Sequence, residues 1–229
     1  MPDYTRFCPI SMASSVLADR WTPMILREMI LGSTRFNDIA RGLPGISRSL
    51  LVQRLKHLER AGVLERWPSP VGRGHEYHLT PAGKDLESVL MAFGRWSVHW
   101  LFHELDPTQV DAITLMWWMH RRVDADQLPD NRTVIQFDHT APERVSLWIV
   151  FERGAPSVCV QHPGFESDLL ITASTPVLAR VFQGYTTWAH ALATGELTAE
   201  GPPRLIRAIP RWFLWSPFAD SMLARAALR

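Results

Sequence analysis

Arg35-Phe36-Asn37-Asp38-Ile39-Ala40-Arg41, then Gly42-Leu43-Pro44-Gly45, then Ser47 through Ala61 form the stretch that decides the fold of this 229-residue chain. The first seven residues place Phe36, Ile39 and Ala40 at helical spacing, so they make a short helix with one apolar face, capped by Ser33 or Thr34. Glycine and proline then break the chain. Ser47 caps the longer helix, because its oxygen accepts an N–H that a helix start leaves bare. Along that helix Leu51, Leu55 and Leu58 share one stripe with Leu50 beside it, while Arg48, Ser49, Val52, Gln53 and Lys56 lie roughly opposite. Outward from there, Val63 to Pro68 and Glu76 to Leu79 alternate like strands. Pro68, Pro70, Gly72 and Gly74 build the turn between them, with Arg73 at its tip. Short helix, breaker, basic helix and β-hairpin, in that order, are the parts of a winged helix-turn-helix.

On duplex DNA each part has its own task. The first helix, with Arg35 and Asn37, braces against the backbone; the second, starting at Ser47, enters the major groove. There arginine suits guanine, glutamine suits adenine, serine suits either, and Val52 can meet a thymine methyl. Arg73 reaches a phosphate or the minor groove. Charge supports this division. Residues 35–73 hold 8 Lys/Arg against 3 Asp/Glu, whereas the whole chain is only +1. Positive charge is thus gathered on the segment expected to meet phosphates.

Around this core, Ser11 to Ala18 and Trp21 to Leu31 read as helices, the second with Trp21, Ile25, Leu26 and Met29 facing inward and Gly32 as its stop. Thr80-Pro81-Ala82-Gly83 opens a helix reaching about Glu104. Its apolar residues Leu86, Val89, Leu90, Phe93, Trp96, Trp100 and Leu101 cover too wide an arc for one partner. A second copy of the chain is the expected other partner, which would set two recognition helices on an inverted repeat.

These residues resemble the HxlR-type winged-helix regulators, a MarR-like group. The likeness is carried by Cys8-Pro9, Trp21 to Leu26, Arg35 to Ile39, Pro44-Gly45-Ile46-Ser47, Leu50 to Gly62 and Glu76 to Gly83, and it covers roughly residues 7–105. It implies a homodimeric bacterial transcription regulator that binds inverted repeats. The proline-rich wing and the hundred-odd residues beyond the match depart from the usual pattern. In some members an N-terminal cysteine senses oxidants, and Cys8 stands at the corresponding place. A thiol at a helix start has its thiolate favoured by the helix dipole, and Arg6 adds positive charge. The alternative is a small side chain that only tethers the N-terminal arm. Cys159 reads as structural.

Asp106-Pro107 breaks the long helix, so 1–106 is expected to be the DNA-binding and dimerisation domain, 107–129 a helical connector, and 130–229 a second, α+β domain. Thr108 to Arg121 is helical. Strands follow at Arg132–Asp138, Val145–Glu152, Ser157–Gln161 and Asp168–Ala173, then helices at Pro176–Gln183 and Thr187–Thr194. A short Glu196–Gly201 piece and a last helix from Pro202 complete the chain. The strand meander, Asp168 to Ser174 entering a helix, and Gly195-Glu196-Leu197 before the last helix resemble the SCP2 (sterol carrier) fold. That likeness implies an antiparallel sheet under helices with an apolar tunnel for a hydrophobic molecule. Lining candidates are Trp148, Val150, Phe165, Phe182, Trp188, Leu192, Trp212 and Phe213; Arg144, Gln161, His162 and His190 are polar orienting groups.

No phosphate loop, nucleophile elbow or His-Glu-x-x-His occurs, so no enzyme activity and no cofactor are expected. His99 and His103 are spaced like metal ligands, but the order His-x-x-x-His-Glu departs from the zinc motif and no metal is expected. Two cysteines, no apolar run long enough to span a bilayer and no signal-like start make a cytoplasmic protein the expectation. The expected partners are double-stranded DNA, a second copy and a hydrophobic small molecule, with no membrane. Two other readings stay open: a regulator sensing electrophiles through Cys8 with the C-terminal half as scaffold, and a hydrophobic-ligand carrier with vestigial DNA binding.

Overall fold

A computed structural model describes residues 7–70, 74–101, 111–152 and 154–226, and the chain divides into two units, Met1–Phe93 and Gly94–Arg229. In the first unit α1 (Pro9–Leu17), α2 (Thr22–Ile30), α3 (Phe36–Arg41) and α4 (Arg48–Arg60) precede the hairpin β1 (Leu64–Pro68) and β2 (His75–Leu79). Helix α5 (Pro81–Trp100) begins in this unit and runs past its boundary. Ile25, Leu26, Ile39, Leu51, Leu55, Leu58 and Leu64 fill the core, so the inward faces follow the spacing of their sequence.

Ser47 caps α4 by accepting from the Leu50 N–H at 3.2 Å. Helix α3 starts one residue later than the sequence implies. Arg35 is its N-cap, without a side-chain cap bond, and Ser33 is buried instead of capping. The cause is the hairpin, which recruits this strand-like approach: the Tyr77 N–H donates to the Thr34 carbonyl at 2.7 Å, and Arg35 bridges Glu76. β1 and β2 pair in register from Leu64 opposite Leu79 to Pro68 opposite His75.

Thr80 joins the hairpin to α5. Its hydroxyl donates to the Gly62 carbonyl at 2.7 Å, and its oxygen accepts from the Gly83 N–H at 3.2 Å. Gly83 lies so close to the residue before β1 that an added methyl would stand 2.1 Å from the Val63 carbonyl oxygen. Backbone cannot move aside as a side chain does, so Gly83→Ala is expected to cost about 1–3 kcal/mol. Thermal unfolding checks this, with Ala82→Gly as the helix-propensity control.

In the second unit α6 (Ala112–His120) comes first, with Asp111 as a cap that accepts from Thr114 N at 2.8 Å. Then follow β3 (Thr133–His139), β4 (Val145–Glu152), β5 (Ala155–Cys159), β6 (Leu169–Ala173), α7 (Thr175–Gln183), α8 (Trp188–Ala193), β7 (Leu197–Glu200), α9 (Pro203–Trp212) and α10 (Ala219–Ala226). The stretch read as a connector supplies Leu115, Met116 and Met119 to this unit's core.

The sheet has order β5-β4-β3-β6-β7 and corrects the expectation of an antiparallel layer, because β3 and β6 run parallel. Parallel neighbours need a crossover connection, and here β4, β5 and residues 160–168 provide it. The Glu196–Gly201 piece contains a true strand, β7, which pairs antiparallel with β6. The fold class is accordingly α+β with a mixed sheet. Helix α10 returns to α5 within this unit. A methyl on Gly94 would meet the Phe218 ring at 2.0 Å, and the Arg225 guanidinium donates to the Val98 and His99 carbonyls. A cation there suits the partial negative charge at a helix C-terminal end.

Candidate nucleic-acid interface

Helix α4 turns its leucines inward and leaves Arg48, Ser49, Val52, Gln53 and Lys56 exposed, with Ser47 exposed at its start. The Ser47 and Ser49 hydroxyls lie 3.2 Å apart. Arg48 is the most constrained of the set. Its guanidinium donates to Asn37 Oδ1 at 2.5 Å and sits 5.4 Å above the Phe36 ring. Both partners come from α3, so the crossing of the two helices aims this arginine. A guanidinium held by a hydrogen bond and an aromatic face loses less freedom when it meets a planar acceptor pair.

Arg35 has a different surrounding. It pairs with Glu76 at 3.3 Å, and Glu76 also accepts from Ser69 Oγ at 3.4 Å and faces His78 Nε2 at 3.5 Å. That carboxylate gathers the residue before α3 and both sides of the hairpin. Trp67 is half exposed, stacks on His78 with ring centres 4.3 Å apart, and donates its indole N–H to Glu65 at 3.1 Å. Burial raises the Tyr77 hydroxyl above its ordinary pKa, so it stays neutral at the hairpin's root. The wing tip, with Arg73, lies outside the described residues.

Two cations that the sequence reading passed over lie here as well. Lys56, Arg60 and Arg66, with Glu59, line a groove between the end of α4 and β1. Arg66 faces Glu59 at 3.8 Å, a distance at which an exposed pair holds weakly. The local excess of positive charge was the available signal for them. Arg54, by contrast, pairs with Asp19 on the inner flank of α4.

The residues expected to line an apolar tunnel do not share one surface. Phe182, Trp188, Trp212 and Phe213 are buried in the main core, with Leu192 packed against it. Trp148 and Val150 belong to a small cluster with Val134, on the opposite face of the sheet from Ile149 and Phe151. Phe165 is exposed, with Arg132 stacked 3.8 Å from its ring centre. Arg144, Gln161 and His190 are exposed, and His162 meets the edge of Trp148 at 5.5 Å.

The sequence reading missed His139, the last residue of β3. Its Nδ1 lies 2.9 Å from Thr175 Oγ1, and its Nε2 is buried with no hydrogen-bond partner among the described residues. Burial outweighs the neighbouring Asp138 charge and lowers its pKa to about 4, so the ring is neutral at pH 7. The Trp188 indole nitrogen is buried without a partner in the same way.

Cys8 is half-buried at the N-cap of α1, and its thiol is free. His103, the second half of the possible metal pair, lies outside the described residues. No helix of the described residues is long and apolar enough to cross a membrane.

Residues 16–105 match the HxlR-like helix-turn-helix family. YvaP, an uncharacterized HTH-type transcriptional regulator of Bacillus subtilis (strain 168), is 35 % identical over 109 residues, which is 47 % of this chain and 97 % of that protein. Rv3095, an uncharacterized HTH-type transcriptional regulator of Mycobacterium tuberculosis, is 39 % identical over 93 residues, 40 % of this chain and 58 % of that one. Among solved structures, the reduced form of the transcriptional regulator YodB from B. subtilis is 31 % identical with a TM-score of 0.38, over 41 % of this chain and 94 % of that chain.

Proposed function

Because this chain belongs to the HxlR-like helix-turn-helix family, we propose that it is a transcription regulator that reads duplex DNA through α4. One observation carries the reading: Arg48 is exposed on the outer face of α4 and aimed by Phe36 and Asn37. In this reading Ser49, Val52, Gln53 and Lys56 complete the groove face. Ser47, Asn37, Arg35 and Arg73 contact the backbone. The regulator works as a homodimer on an inverted repeat and acts as a repressor. Support for a dimer comes from α5, which exposes Phe93, Trp96 and Trp100 at helical spacing, an apolar surface that water alone would not favour.

The signal in this proposal is a hydrophobic small molecule held by the sheet-and-helix unit, in the manner of an SCP2-like fold. Buried ring nitrogens without a hydrogen-bond partner among the described residues, His139 Nε2, Trp148 Nε1 and Trp188 Nε1 among them, support it. A ligand would act only to the extent that it binds one arrangement of the dimer better than another. Cys8 favours a second reading, since a free thiol at a helix N-cap suits an electrophile sensor. Diamide treatment that releases DNA from both wild type and Cys8→Ser would rule that reading out.

The main test is a salt-titrated mobility shift on a duplex selected from a random pool. Arg48→Ala is expected to weaken specific binding by about 1–3 kcal/mol, the worth of a bidentate base contact, while barely changing affinity for unrelated sequence. Asn37→Ala is expected to lose a smaller part of the same discrimination, through Arg48. Unchanged operator affinity in Arg48→Ala would put the reading face elsewhere.

A further inference from the structure

Helix α9 is sharply two-faced. Ala208, Ile209 and Trp212 are buried in the core of the second unit, whereas Arg204, Arg207 and Arg211 stand exposed. At about 100° and 1.5 Å per residue, the three arginines fall within an arc of about 60° and span about 10 Å of the helix. No acidic residue occurs between Gly201 and Ala219. Among the described residues none of the three arginines makes an ion pair or a side-chain hydrogen bond. Among the described residues the acidic turn packed against α9 forms no ion pair with them, and Asp124 Oδ1 accepts from its own turn, the Asp126 N–H at 3.1 Å.

Helix stability accounts only for Arg211, which lies in the last turn where the macrodipole favours a cation. Arg204 lies in the first turn, where the macrodipole disfavours a cation, and no acidic residue offsets it there. Solubility does not account for the stripe either, because the residues after 105 are net acidic without help from this helix. What the row does offer is three guanidinium groups on a backbone fixed by the buried side of the helix. Arginine forks match phosphate oxygens two at a time, and a rigid platform reduces the freedom lost on binding. A bilayer surface fits less well, since the apolar side of α9 is already used in the core and has nothing left to insert.

We infer that Arg204, Arg207 and Arg211 form a second DNA contact, a sequence-independent stripe for the phosphate backbone. The inference rests on the DNA-binding reading, which supplies the duplex; a stripe on the same chain then meets its phosphates at high effective concentration. Its contribution is affinity and salt dependence, without base discrimination.

The test compares full-length wild type with the triple variant R204Q/R207Q/R211Q by fluorescence anisotropy across a salt series. Two duplexes are used: a selected operator alone, and the same operator with flanks of about one and a half helical turns on each side. Each phosphate contact contributes about 0.9 to the slope of log K against log salt. The triple variant is expected to lose about 2–3 units of slope per protomer on the flanked duplex. Its affinity there should fall at least tenfold at low salt, with the preference for operator over scrambled sequence intact. The matching R204K/R207K/R211K variant is expected to recover most of the slope, and unchanged thermal unfolding shows that the fold is kept.

Equal slopes for wild type and R204Q/R207Q/R211Q on both duplexes overturn the stripe while leaving α4 reading intact. Loss of slope on a protein that shows no sequence preference supports the stripe and removes the operator reading instead. Binding of phosphatidylserine vesicles that the triple variant loses, with DNA affinity unchanged, would assign the stripe to a lipid surface and overturn the proposal.

Discussion

Phe151→Ala is expected to lower the unfolding free energy of the second unit by about 3–5 kcal/mol. The side chain is 1 % exposed on β4, edge-on to Trp212 with ring centres 5.7 Å apart and 6.1 Å from Phe213. Three losses add. Returning the ring's apolar area to water costs about 1.5–3 kcal/mol. The aromatic pairs are worth about 0.5–1.5 kcal/mol beyond their area. The space left behind costs more in proportion to its volume, because Ile149, Ile135 and the α9 side chains are fixed by their own packing. Urea unfolding followed by tryptophan fluorescence measures this well, since eight of the ten tryptophans follow Phe93. The magnitude also decides between two pictures of the interior. A loss under about 2 kcal/mol would approach the transfer cost alone, which means the space beside Phe151 is already open enough for a hydrophobic guest. The full loss means that a ligand must displace side chains to enter.

How far the sequence predicts such an interior varies by residue. Strand β4 is legible to its ends, because Val145 to Glu152 is a β-branched and aromatic run bounded by turn residues, and it is buried on both faces from Leu147 to Phe151. Strand geometry carries a further message. Trp148 and Val150 have opposite parity to Leu147, Ile149 and Phe151, so a period of two already separates them from the main core. Grouping the aromatics by type alone discarded that information. Parallel pairing of β3 with β6 was not legible, since alternation shows which face a residue takes and nothing about its neighbour's direction. Strand β7 is only four residues long and depends on β6 to exist as a strand. In the first unit, the Ser47 cap and the leucine stripe of α4 are local features, and both were readable. The Arg48–Asn37 bond joins residues eleven apart on different helices. It depends on the angle at which α3 and α4 cross, which spacing does not encode. The same holds for Arg35, whose pairing with Glu76 spans 41 residues.

Leu55→Ala is expected to cost the first unit about 2–5 kcal/mol, and to do so without touching any side chain proposed to meet DNA. Leu55 is 1 % exposed, between Leu51 and Leu58 on the inner stripe of α4, where it joins a core containing Ile25, Leu26 and Ile39. Val52, three residues away, is 39 % exposed on the outer face. Val52→Ala is therefore expected to leave stability within about 0.5 kcal/mol, as surface substitutions usually do. Amide hydrogen exchange across α4 is the direct measurement, because it reports opening of that helix separately from the second unit, whose tryptophans dominate fluorescence. The two variants should also differ on DNA. Leu55→Ala should bind weakly at 37 °C yet approach wild-type affinity on cooling or with excess operator, because DNA that binds only the folded unit draws the equilibrium back. Val52→Ala should keep the same fold and lose only whatever a methyl contact contributes in the groove, at every temperature alike. Should Val52→Ala prove the more destabilising of the two, α4 would present its other face to the core, and every residue assigned to the groove would have to move with it.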